Sequence, residues 1–144
     1  MQYPNRNELR DLLEQLVGKD VTVSDTTDLD VALIGNSTYE FVDAGDAPKC
    51  VLGIELPLAH ALGASLAMMP ASRASASTPD PDLLEATREV VNVMSGQVNA
   101  QNNVHIRLIP GSDGTAPWGN RRPAAAYTIE IGDLPTGVLA FANA

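Results

Sequence analysis

Between Asp80 and Asn102 the chain reads DPDLLEATREVVNVMSGQVNAQN. At roughly 100° per residue, Leu83, Thr87, Val90, Val91, Met94 and Val98 fall on one broad face. A 23-residue segment with such a face must bury it against another layer, and a sheet can receive it. Asp80 supplies a cap, Pro81 suits the first helical position, and Asp82 and Glu85 lie favourably near the positive end of the helix. Glu85, Glu89, Asn92, Gly96 and Asn99 share the opposite face, within an arc of roughly 80°. Gly96 leaves a gap there, where another surface could approach the backbone.

The segments around this helix read mainly as strands. Asn5 to Val17 is a first helix, with Asn5 or Asn7 as cap, Leu9, Leu12, Leu13, Leu16 and Val17 as its stripe, and Gly18 as its stop. Val21–Val23, Leu29–Ile34, Ser37–Val42 and Lys49–Leu56 read as strands, with turn signals at Gly35-Asn36 and Ala44–Pro48. Their spacing predicts an antiparallel meander. Pro57 opens a helix through Met69 that is apolar nearly all round and so expected to be buried on more than one face. Pro70 to Asp82 is expected to be a linker, mobile in its first half. Val104–Ile109, Ala124–Ile131 and Gly137–Ala142 are the later strands, the last two joined by a five-residue connection at Asp133–Gly137. Pro110 to Pro123 reads as an irregular loop carrying the single Trp. The expected fold class is α+β: a mostly antiparallel sheet with an N-terminal helix and two central helices packed on it, in one domain over residues 1–144. Without βαβ alternation or a G-x-G-x-x-G motif, a nucleotide-binding α/β fold is not expected.

Composition narrows the function. The formal charge of −9 and pI near 4.4 disfavour binding to nucleic acid or an anionic membrane, which need basic surfaces. No run approaches the ~20 apolar residues of a membrane span, and MQYPNRNELRDLL lacks the apolar core of a signal peptide. A cytoplasmic protein is expected. Cys50 is the single cysteine and reads as a small buried strand residue. His60 reads as a partly buried or rim residue, and His105 as a strand surface residue. With only these two histidines, and no ligand spacing to Cys50 or a nearby carboxylate, neither metal nor nucleophilic catalysis is indicated.

Two further features accompany the long helix: Glu89-Val90-Val91-Asn92 followed by Gly96, and a strand ending in Gly53-Ile54-Glu55-Leu56 that runs into the apolar helix. Together with the element order, these resemble the CheC/CheX/FliY group of chemotaxis phosphatases, most closely CheX-like single domains. Glu89–Gly96 fits that group's Glu-x-x-Asn-x-x-x-Gly pattern. The group's leading Asp or Ser position holds Glu85 here, and its downstream proline has no equivalent, Pro110 coming early and Pro117 late. The resemblance implies removal of the phosphoryl group from the aspartyl-phosphate of a CheY-like receiver domain. Asn92 would orient the attacking water and Glu89 would contact the partner's lysine. Glu85, Gly96 and Asn99 are the expected partner-contacting positions. No cofactor of the chain's own is implied, since the Mg²⁺ would be held by the receiver. A homodimer is compatible with the pattern. The alternative reading is a non-catalytic interaction domain of the same fold; a third is an assembly module that pairs through a sheet edge.

Overall fold

A computed structural model describes residues 1–34, 37–109 and 117–144. The N-terminal helix α1 (Arg6–Val17) is closed at both ends by its own sequence. Asn5 and Glu8 form a reciprocal capping box, and Gly18 takes the left-handed conformation at φ 67° that favours glycine. Strand β1 (Val21–Asp25) follows. Leu29 to Ile34, expected as a strand, instead contains a short helix, α2 (Val31–Ile34). The cause is local: the Asp30 carboxylate accepts the Ala32 N–H and the Asp30 carbonyl accepts from Leu33 and Ile34, so a capped turn outcompetes the extended form.

Strands β2 (Thr38–Val42) and β3 (Pro48–Ile54) form a hairpin. Helix α3 (Leu56–Leu66) has a proline in its first turn and is buried along most of its length. The connection after it is structured rather than a plain linker: Ala71–Ser75 forms a 3-10 helix with Ala74 buried. Helix α4 (Pro81–Asn102) is capped by Asp80, whose side chain accepts the N–H groups of Asp82 and Leu83. Strand β4 is only Arg107–Leu108, shorter than the expected Val104–Ile109. Strands β5 (Ala125–Ile131) and β6 (Gly137–Asn143) close the chain.

The six strands form one antiparallel sheet in the order β1-β5-β6-β3-β2-β4. This is the α+β architecture expected, but not a meander. β1 pairs with β5 across the whole body of the chain, Val21 opposite Ile131. The pleat divides the two faces. Cys50, Leu52 and Ile54 of β3 join Leu139 and Phe141 of β6 in the main core, beneath α1, α3 and α4. Val51, Ala140 and Ala142 point the other way, into a small second core with Ile34 and Trp118. Gly53 makes room for that second core: a Cβ there would lie 2.6 Å from Ile34 and 2.9 Å from the Trp118 ring, closer than packed atoms tolerate.

Cys50 is buried, and burial pushes its thiol up to about 11, so it is inert. Among the described residues no helix is long and apolar enough to cross a membrane.

Candidate functional site

Helix α4 lies on the sheet through Leu83, Val90, Val91, Met94 and Val98, all buried in the main core. That fixes which side meets solvent. Glu85, Glu89, Asn92 and Gly96 are all exposed. Asn92 lies three positions after Glu89, a rise of roughly 4.5 Å with a small offset around the axis, so carboxylate and carboxamide stand side by side. Among the described residues, neither side chain has a hydrogen-bond or ion-pair partner. The only bond touching Asn92 beyond the helix ladder is to its backbone carbonyl, which accepts from the Ser95 hydroxyl at 2.6 Å. A Cβ built on Gly96 meets nothing within 4 Å, so the gap is open. Val93, beside it, is 42% exposed.

Asn99 is different. It is half-buried, and its amide donates to the Ile106 carbonyl at 3.0 Å while its oxygen accepts the Ile106 N–H at 2.6 Å. Its side chain stands in for a neighbouring strand and is committed to the fold. The structure therefore groups Glu85, Glu89, Asn92 and Gly96 on one open face and sets Asn99 apart.

The start of α4 is fastened by groups that sequence reasoning assigned only in part. Arg73, from the 3-10 helix, pairs with the Asp80 carboxylate at 2.9 Å and reaches Asp82 at 3.4 Å. Burial pulls the Asp80 carboxyl up, but the Arg73 guanidinium and the helix N–H groups outweigh it and hold it below its ordinary value. His60 is wholly buried rather than at a rim, a correction to the sequence expectation. Its Nε2 accepts the Asp80 N–H at 3.0 Å, which requires a neutral ring protonated on Nδ1. Burial lowers the His60 pKa, against opposing pulls from the Asp80 carboxylate and the Ala76 backbone. No sequence spacing pairs His60 with Asp80, 20 positions away, so this tie was invisible without the fold. His105 is exposed but lies outside strand β4.

Among the described residues no group of three or more His, Cys, Asp or Glu side chains is placed to hold a metal. What the α4 face offers chemically is one acceptor and two donors on a fixed amide, and carboxylates one or two turns away. Residues 110–116, the front of the expected loop from Pro110 to Pro123, lie outside the described residues.

No family model matches the chain, and no curated protein matches it. Solved structures do. The middle domain of FliM from H. pylori superposes with a TM-score of 0.56 at 12% identity, covering 96% of this chain and 84% of that one. FliY from Thermotoga maritima gives 0.51 at 13% identity, covering 92% and 80%. A FliG–FliM complex from H. pylori gives 0.54 at 12% identity, covering 96% and 85%. The chain has the fold of the FliY and FliM middle domains, an α+β sheet with its helices on one main face.

Proposed function

We propose that the exposed face of α4 docks on a phosphorylated CheY-like receiver domain and accelerates hydrolysis of its aspartyl-phosphate. The observation that carries this reading is that Glu89 and Asn92 stand adjacent, exposed and unbonded, beside the open Gly96. An acyl phosphate is already reactive, so a strong nucleophile is unnecessary and positioning is the main contribution available. Water oxygen attacks phosphorus and the bond to the aspartate oxygen breaks. The aspartate leaves as carboxylate, and the proton lost from water passes to phosphate or solvent. Asn92 holds the water in line. Glu89 makes a charge-assisted contact to a lysine of the receiver, while Glu85 and Gly96 complete the docking face. The Mg²⁺ of such a reaction belongs to the receiver. The reading places the chain with CheX-like phosphatases in the cytoplasm, as a monomer or homodimer.

The test is phosphate release from phosphorylated receivers, with wild type beside Asn92→Ala and Glu89→Ala. Wild type should accelerate release, and Asn92→Ala should lose on the order of 100-fold of that acceleration. No acceleration on any cognate receiver overturns the reading. The second reading, a binding domain without turnover, is favoured by one finding: FliM of the same fold has been solved in complexes with FliG and with SpeE. It predicts receiver or switch-protein binding with unchanged phosphate release.

A further inference from the structure

Thr87 lies on α4 roughly 180° from Gly96 and two positions before Glu89. It is wholly buried. Its hydroxyl stands 2.5 Å from the Ala59 carbonyl of α3 and 2.9 Å from the Leu83 carbonyl of its own helix. The second contact is available to any helical threonine; the first ties two helices together. The reach depends on an unusually close approach, because a Cβ on Gly63 would sit 2.1 Å from the Leu83 carbonyl oxygen and 2.7 Å from Thr87 Oγ1. Every other side chain on the buried face of α4 from Leu83 to Met94 is apolar. Apolar burial is non-directional, whereas a hydrogen bond is directional.

We infer that Thr87 is a positioning residue: its bond to the Ala59 carbonyl, between the ties at Asp80 and those from Gln97 onward, sets the rotation of the middle of α4 and so the aim of Glu89 and Asn92. The inference deepens the phosphatase reading and rests on it for its functional arm. Side-chain groups opposite Thr87 lie roughly 6 Å from the helix axis, so a 10° roll moves them about 1 Å. A displacement of that size costs on the order of 100-fold in a reaction that depends on placement.

The experiment compares Thr87→Val, which keeps the shape and removes the hydroxyl, with Thr87→Ser, which keeps the hydroxyl. Each is made in the full chain and confirmed native by circular dichroism. Nitroxides at Val93→Cys and Thr22→Cys, both exposed, report the position of α4 against the sheet through their dipolar distance distribution; the buried Cys50 takes no label. Thr87→Val should shift or broaden the distribution and Thr87→Ser should restore it. In receiver dephosphorylation, Thr87→Val should lower kcat by tenfold or more with KM changed less, as expected when positioning is lost, and Thr87→Ser should recover it. A wild-type distance distribution in Thr87→Val, or a Thr87→Ser variant that behaves as Thr87→Val, overturns the inference. Absence of phosphatase activity in wild type overturns the functional reading instead, and the distance measurement still decides the role of Thr87.

Discussion

The two halves of α4's polar surface read alike in sequence and behave differently in the fold. Among the described residues, the exposed side chains of Glu85, Glu89 and Asn92 have no bonds to other elements. From Gln97 to Asn102 nearly every polar side chain is engaged. Gln97 donates to the Glu8 carbonyl, and Gln101 to the Glu8 carboxylate. Asn99 pairs both ways with the Ile106 backbone. Asn102 does the same with Gln2, donating to its carbonyl and accepting its N–H, both at 2.6 Å. Gln97 and Gln101 tie α4 to helix α1, and Asn99 and Asn102 pair backbone groups of Ile106 and Gln2, which lie outside the helices and strands. Glu85, Glu89 and Asn92 of the earlier half bond to no such segment among the described residues. Polar residues that the fold does not use are the ones available to a partner.

Asn92→Ala should break the contrast most visibly. It should remove about 100-fold of receiver dephosphorylation while urea unfolding stays within about 0.5 kcal/mol of wild type. The same change one helical stretch later should do the reverse. Asn99→Ala strands the Ile106 N–H and carbonyl and should cost about 1–3 kcal/mol, read as a lower urea midpoint, with α4's open face intact. Gly96→Ala sharpens the argument from the other side. The site is open, so the helix should gain about 0.5–1 kcal/mol. Loss of receiver affinity in this more stable variant would mark Gly96 as clearance for a partner; unchanged affinity would remove it from the interface.

The smallest effect expected is at the start of the helix. His60 is neutral in the fold, with its pKa lowered chiefly by burial, while an unfolded histidine titrates near ~6.5. Below that pH the unfolded chain binds the extra proton first. The stabilisation is therefore complete above about 6.5 and is lost as pH falls toward the lower folded value. Amide exchange at Asp80 and at residues 82–84, corrected for intrinsic rates, should rise over that window. Residues 97–102, held by amides that do not titrate, should keep their protection.

How much of this was legible beforehand follows the range of the interactions. The ends of α1 and α4 were readable because Asn5, Gly18, Asp80 and Pro81 act within a few residues. The open face at Glu85, Glu89, Asn92 and Gly96 followed from helical period alone. Leu29–Ile34 misled because its alternation imitates a strand, while the deciding group, the Asp30 cap, is a single side chain. β4 came out short because Asn99 occupies the Ile106 backbone groups, a use of an amide that no local pattern signals. The sheet order was out of reach, since pairing of Val21 with Ile131 is settled by how α3 and α4 cover the sheet. The ties of Thr87 to Ala59 and His60 to Asp80 belong to that same class.

The packing of Trp118 carries a consequence for experiment. It is the one tryptophan, only 2% exposed, and it sits in the second core, on the sheet face away from α4. Its emission should be that of an indole in an apolar setting, shifting to the red when the chain unfolds. The sheet stands between it and the α4 residues of the main core. The chain thus has a built-in optical gauge of unfolding, and its emission is expected to stay unchanged when a partner without tryptophan docks on the exposed face of α4, so that stability and binding can be titrated separately in one sample.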